Sequence, residues 1–247
     1  MSVDPGWIVP QWPAPANVRA LITTRAGGVS TGAYASFNLG TSTADDPAAV
    51  SQNRARLRGL LPREPLWLRQ VHGNRVVNAD HAAALPIADA SVAFTAGPVC
   101  AILVADCIPV LVTDRSGSVI AAAHAGWRGL ASGVVPRTIE AMCARGTRAA
   151  DLIAYLGPGI GRTAFEVGAD VVDAFTAHDG DAAGAFVRHG ADKWLCDLFW
   201  LARRSLAQAG VREVYGEDLC TYSDPGRFYS YRRDKITGRM AALIWRG

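Results

Sequence analysis

Residues 105–129, ADCIPVLVTDRSGSVIAAAHAGWRG, hold two apolar runs, IPVLVTD and SVIAAAH, on either side of a polar turn. Short runs rich in β-branched residues and bounded by turn formers read as a buried β-hairpin. The hairpin also carries Cys107 at one end and His124 at the other. With a two-residue loop at Arg115 and Ser116, Thr113 faces Ser118 and Cys107 faces His124. Directly opposed side chains have Cβ atoms about 4.5–5.5 Å apart, a gap that one zinc ion spans with bonds of about 2.3 Å to sulfur and 2.0 Å to nitrogen. A slip of one residue would turn the two side chains to opposite faces. Taken singly, Cys107 reads as a small buried hydrophobe and His124 as a hydrogen-bonded histidine at a strand end.

Outward from this hairpin, VRALITT, PLWLRQVH, RVVNAD, SVAFTA, CAILVAD, LIAYLGP and MAALIW read as further strands. A helix is expected after Asp192, where Leu195, Leu198, Phe199, Ala202 and Leu206 recur at spacings of three and four before a capping Gly210. Another begins at DDPAAV, with Pro47 in the first turn and Leu57, Leu60 and Leu61 as its apolar face. GLASGVVPRTIEAMCARG, interrupted by Pro136, and GADVVDAFTAH are weaker helical segments. Many strands joined partly by hairpins and partly by helices predict an α/β fold, a sandwich of mixed sheets with helices outside.

The chain has 247 residues, half of them hydrophobic, with no internal repeat or low-complexity linker, so one domain over residues 1–247 is expected. The net charge of +3 is small and the arginines are dispersed, which argues against a nucleic-acid partner and leaves a small anionic ligand open. MSVDPGWIVPQWPAP lacks a basic region followed by an apolar core, and the longest apolar stretch, VCAILVADCIPVLV, is broken by Asp106 and Pro109. A cytoplasmic protein without a membrane partner is expected. The five cysteines form no Cys-x-x-Cys pair, so disulfides are not.

His72 in LRQVHGNRV ends another apolar run and precedes Gly73, a residue suited to close approach by a ligand. Two imidazoles and one thiolate leave a tetrahedral zinc one position for water or substrate, whereas structural zinc sites are closed by four protein ligands. That composition favours chemistry. His81, His178 and His189 sit in polar surroundings and read as solvated, and Cys100, Cys143, Cys196 and Cys220 as core or helix residues.

The order of TTRAGGVSTGAYASFNLG, NRARL, QVHGNRV, ADCIPVLV, HAGWRG, GPGIG with FEVG, and YSDPGRFYSYRRDKITGRMAALIW resembles the YfiH/YlmD family of laccase-domain proteins. The likeness spans nearly the whole chain. It implies metal ligands at His72, Cys107 and His124, the three residues already singled out, and a four-layer α/β/β/α sandwich similar to deamidating cysteine-hydrolase toxins. One departure lies at Ala164 and Phe165, where relatives often carry Cys or another residue before Tyr-Glu-Val. The resemblance further implies action on purine nucleosides: phosphorolysis of adenosine, inosine and methylthioadenosine, and deamination of adenosine to inosine. A multi-copper relay is disfavoured, because it consumes more imidazoles than the five in the chain, although a single His, Cys, His site would also accept Cu2+.

Deamination needs an acidified water and a carboxylate that carries protons to the leaving ammonia; Asp106 and Glu166 are the candidates. The His-x-Glu signature of common zinc deaminases is absent. Phosphorolysis needs an anion site, for which Arg25, Arg128, Arg232 and Arg233 offer guanidinium groups at strand ends or glycine turns, with Arg75 read as solvated. GPGIG lacks the spacing of a dinucleotide fingerprint and reads as a tight turn near the site. Phe37, Trp127 and Tyr229 are candidate stacking partners whose alternative role is core packing. The leading expectation is a zinc-dependent purine nucleoside enzyme taking small-molecule substrates and phosphate. The competing ones are an amide hydrolase that uses Cys107 as nucleophile on a cell-wall precursor, and a metal-binding protein without catalysis.

Overall fold

A computed structural model describes residue 4, residues 6–216 and residues 219–247; the first residues of the stretch read for a leader lie outside these. A three-stranded antiparallel sheet has the order β1 (Val18–Ile22), β12 (Met240–Arg246), β4 (Val99–Val104). A six-stranded sheet runs β11 (Glu213–Tyr215), β7 (Leu152–Leu156), β5 (Ile108–Asp114), β6 (Ile120–Ala125), β3 (Ala90–Ala93), β2 (Val76–Asn78). Its outer pairs, β11 with β7 and β2 with β3, are parallel and its inner pairs antiparallel, so the expected mixed pairing is confined to this sheet. A small antiparallel sheet joins β8 (Glu166–Val167), β10 (Trp194–Cys196) and β9 (Phe186–Arg188).

Alternation along the strands sets the layers. Leu111 of β5 and Ile120 and Ala122 of β6 face Ile102 and Val104 of β4, which makes the core between the two large sheets. Val110, Val112, Ala121 and Ala123 point the other way, onto Val135 and Ile139 of α3 (Val134–Cys143) and Leu206 of α5 (Leu198–Gln208). Beyond the three-stranded sheet, Leu21, Ala101 and Leu243 pack on Leu57 of α1 (Pro47–Arg58). Helix, sheet, sheet and helix are thus stacked in that order. Both faces of β5 are covered, which is why all seven of its residues are buried.

Several local expectations are corrected. The hairpin pairs Thr113 with Ile120 and Pro109 with His124, not Thr113 with Ser118 and Cys107 with His124. The loop is longer because Asp114 organises it: its carboxylate accepts from Ser118 N at 2.6 Å, Ser118 Oγ at 2.8 Å, Val119 N at 3.1 Å and the Ser116 hydroxyl. A shift of two places keeps every side chain on its face, so Cys107 and His124 still look the same way. PLWLRQVH forms no strand; Leu66 and Arg69 make isolated bridges, and the Gln70 amide takes both main-chain groups of Leu103, each at 2.8 Å, where a neighbouring strand would bind. α5 starts later than expected, because the Asp197 carboxylate caps it by accepting from Trp200 N at 2.9 Å, while Leu195 lies in β10. Pro136 does not interrupt α3, since it sits in the first turn, where the missing N–H is not needed. Leu60 and Leu61 fall beyond the end of α1 at Arg58.

Burial disfavours the Asp114 carboxylate, but the Ser116, Val119 and Ser118 hydrogen bonds outweigh it and hold its pKa below the usual carboxylate range. A depressed native pKa contributes stability above the unfolded value of about 3.9 that is lost as pH falls below it. Asp114→Ala, which orphans the Ser118 and Val119 N–H groups, is expected to cost about 2–3 kcal/mol at neutral pH. Thermal unfolding at pH 7 and pH 3 checks this: the gap between wild type and variant should narrow at the lower pH.

Candidate functional site

His72, Cys107 and His124 come together at one end of the two facing sheets, with their ligand atoms all within 4.8 Å of one another. The His72 and His124 rings stand edge to face with centroids 4.8 Å apart. His124 is at the end of β6, and Cys107 immediately precedes β5. His72 sits in a turn at φ 60°, a left-handed conformation that a non-glycine residue adopts only where its surroundings impose it.

What imposes it is Asp89, a fully buried carboxylate just before β3. It accepts from the main-chain N–H of Val71 at 3.1 Å, His72 at 2.9 Å and Gly73 at 2.8 Å, and its Oδ1 lies 2.9 Å from His124 Nδ1. One carboxylate therefore shapes the His72 turn and fixes the His124 ring, leaving Nε2 of His124 for the centre. Burial opposes the charge on Asp89, but the His124 hydrogen bond and the Gly73 and Val71 amides prevail and lower its pKa. Sequence reading missed this residue. The only signal is an acid flanking an apolar strand, 35 positions from the histidine it holds.

Burial alone would raise the Cys107 pKa, yet the His124 and His72 imidazoles bring it down to about 6. Burial likewise works against a protonated His124, and Cys107 and Asp89 overcome it, raising that pKa to about 9. The pair favours a thiolate beside an imidazolium. Gly126 leaves room for it, because a Cβ there would lie 2.7 Å from Cys107 Sγ and 3.3 Å from His72 Cδ2. Two imidazoles and a low-pKa thiol, with one ring oriented by a buried carboxylate, fit zinc in ligand type and outer support. Among the described residues this is the one cluster of that kind, and it holds two of the five histidines.

The group opens into a cavity of about 1190 Å³, beside a smaller one of about 490 Å³ with which it shares Gly40, Thr41, Thr43 and Arg54. Asp106 lines the large cavity with both oxygens engaged: Oδ1 accepts from Thr221 Oγ1 and Oδ2 from Arg232 N, each at 2.6 Å. Its carbonyl accepts from Ile160 N at 2.8 Å, which brings the GPGIG turn against the site as expected. With φ at 104°, Asp106 is the bend that aims Cys107.

Other expected residues lie elsewhere. Glu166 does not line the cavity; its carboxylate turns to His189 at 3.7 Å, because its main-chain carbonyl is the part facing Arg232. Arg25 ties two loops together by donating to Ala35 O and Pro225 O, each at 2.9 Å, with its guanidinium over Tyr229. Arg233 spends its donors on the carbonyls of Thr221, Tyr222 and Phe228 and on Asp234. Neither of these arginines lines the cavity. Arg128, over the Trp127 ring at 4.3 Å, and Arg232, over Phe165 at 5.2 Å, do line it. Phe37 and Tyr229 are fully buried core residues, not stacking partners, whereas Trp127 reaches the cavity wall.

Arg239 was also missed. Its Nη1 donates to Thr237 O and Gly238 O at 2.9 Å, and its main-chain N–H to Asn38 Oδ1 at 2.8 Å. Burial pulls its pKa down while the nearby Cys107 and Asp106 charges favour the cation.

No helix among the described residues is long and apolar enough to cross a membrane. The family model described as multi-copper polyphenol oxidoreductase laccase matches residues 19–247. The chain is 50% identical over 241 residues to the purine nucleoside phosphorylase YfiH of Escherichia coli (strain K12), covering 96% of this chain and 98% of that protein. A crystal structure of a Neisseria meningitidis protein, 51% identical, superposes with a TM-score of 0.93 over 98% of this chain and 99% of that one. YlmD from Geobacillus stearothermophilus, 30% identical, superposes at 0.90 over 100% and 98%. The chain therefore belongs to the family described as multi-copper polyphenol oxidoreductase laccase, whose members include YfiH and YlmD proteins.

Proposed function

We propose that this chain is a zinc-dependent enzyme of purine nucleosides, which cleaves them with phosphate and deaminates adenosine to inosine. The observation that carries the reading is the convergence of His72, Cys107 and His124 on the wall of a cation-lined cavity. The relatives' naming as purine nucleoside phosphorylases supplies the substrate class. Zinc, if held by His72, Cys107 and His124, would supply a Lewis-acid charge to the site. Asp89 keeps the His124 tautomer and ring angle, which the ligand set requires. Arg232 and Arg239, beside Asp106, hold the phosphate; an oxygen of hydrogen phosphate bonds to the ribose C1′ as the bond from C1′ to N9 breaks, and the proton that the phosphate gives up leaves on the purine. The guanidinium groups act on charge already present in the phosphate, in a wall partly shielded from water. Asp106 is the one carboxylate lining the cavity among the described residues, which supports it as the group that carries a proton in deamination. Five histidines do not furnish a multi-copper relay.

Protein purified without added copper should contain one zinc per chain. With adenosine it should give adenine and ribose 1-phosphate when phosphate is present, and inosine without it, as separated by chromatography. His72→Ala removes an exposed ring and should abolish metal retention and both products while the melting temperature stays near wild type. Full turnover in the metal-free variant sinks the proposal.

A second reading has its own observation: Asp89, His124 and Cys107 line up as carboxylate, imidazole and thiol, the order of a nucleophilic triad. On this reading Cys107 attacks an amide, and the toxin-like fold that the resemblance implies would belong with it. The form in which Cys107 works separates the two. An acyl group on Cys107, detected by mass spectrometry in metal-stripped protein after incubation with an amide substrate, would replace the zinc reading.

A further inference from the structure

The cavity carries more positive charge than one phosphate uses. Among the described residues, Arg54, Arg69, Arg128, Arg232, Lys235 and Arg239 line it against a single acid, Asp106. Charge of one sign gathered in a concave wall focuses the field and concentrates anions there.

The arginines divide into two sets, and Arg54, whose Nε donates to Leu39 O at 2.9 Å, belongs with the anchored one. Arg232 and Arg239 are anchored, the first through Nη1 to Glu166 O at 2.6 Å and the second through Nη1 to two carbonyls at 2.9 Å. Arg69 and Arg128 are exposed, and neither guanidinium has a hydrogen-bond acceptor among the described residues; Arg128 only lies over Trp127. Both flank the His72 turn. Arg69 precedes it by three residues, and Gly129, next to Arg128, packs on the Gly73 carbonyl, which a Cβ would approach to 3.3 Å. A free guanidinium presents a planar pair of donors suited to phosphate. The volume agrees, since about 1190 Å³ exceeds the range of about 300–1,000 Å³ usual for a site that takes one small molecule.

Resting on the purine reading above, we infer that Arg69 and Arg128 form a second anion subsite that takes the 5′-phosphate of a purine nucleoside phosphate. Phosphorylated nucleosides are then bound in preference to the free nucleosides, with the base still directed to the metal-ligand cluster.

Calorimetric titration of the intact protein at low ionic strength tests this with adenosine, adenosine 5′-monophosphate and inorganic pyrophosphate. The monophosphate should bind at least about tenfold more tightly than adenosine. Arg69→Ala and Arg128→Ala should each weaken the monophosphate about five- to tenfold and change adenosine by less than about twofold. Both side chains are exposed and without hydrogen-bond acceptors among the described residues, so an unchanged melting temperature is the control on folding. Equal affinities for adenosine and its monophosphate, or a preference that survives both substitutions, would overturn the inference and leave the purine reading in place. Binding of pyrophosphate that both substitutions weaken, with no binding of adenosine, would keep the anion subsite and remove the purine reading. Absence of binding by all three ligands would remove both.

Discussion

If the site holds zinc as proposed, Asp89→Asn is expected to lower zinc affinity about 10–100-fold and to reduce turnover by a similar factor, although Asp89 is not one of the three candidate ligands. The carboxylate accepts from three consecutive main-chain amides and from His124 Nδ1. An asparagine has one acceptor oxygen, and its NH2 group would confront a donor, so at least one half-buried main-chain amide loses its partner. That costs about 1–3 kcal/mol for the orphaned group and frees the His72 turn from its left-handed conformation. His124 would also lose the carboxylate that helps raise its pKa, so the imidazolium should titrate at lower pH than in wild type. Competition with a chromophoric chelator measures the affinity, and NMR titration of the ring measures the pKa. A positioning residue moves both; a purely structural one would lower the melting temperature and leave zinc affinity in the folded protein unchanged. That second outcome would remove Asp89 from the site.

The uneven legibility of this chain has a physical cause. The hairpin was readable because β5 and β6 are buried on both faces and therefore appear as unbroken apolar runs. Its register was not, because the loop length is set by four hydrogen bonds to Asp114 that no periodicity reports. The shift was harmless to the site only because it was even. His72, Cys107 and His124 stood out as reactive side chains at the ends of apolar runs. Asp89 did not, since its importance lies in main-chain groups of residues 71–73, which every sequence possesses. The arginines failed in the opposite direction. Arg25 and Arg233 look like anion binders in a sequence, but each meets backbone carbonyls that only the tertiary fold supplies. Arg239, a single charge before an apolar strand, faces the thiol because β12 is the middle strand of its sheet and its start abuts the site.

Gly126→Ala should cut turnover by more than about 100-fold, the scale expected when reacting groups are displaced by about 1 Å. Gly126 has φ −77° and ψ 165°, extended backbone that alanine adopts without strain, so the whole effect must come from the added methyl. That methyl would sit 2.7 Å from Cys107 Sγ and 3.3 Å from His72 Cδ2. The first distance is below any ordinary carbon to sulfur contact, and the thiol has one means of relief, rotation about χ1 away from the two imidazoles. Rotation separates the thiolate from His124, whose charge helps hold its pKa near 6, so the Cys107 pKa should rise together with the loss of zinc. The fold pays little: overpacking of this kind costs about 1–3 kcal/mol, and Gly126 precedes α2 (Trp127–Ala131) without forming its core. Gly180→Ala, where nothing lies within 4 Å of the new methyl, is the matched control and should behave as wild type. Metal content, turnover and the pH dependence of Cys107 alkylation in metal-free protein would be read together. If Gly126→Ala keeps its zinc and its activity, the thiol does not occupy the position from which both the metal and the nucleophile readings begin.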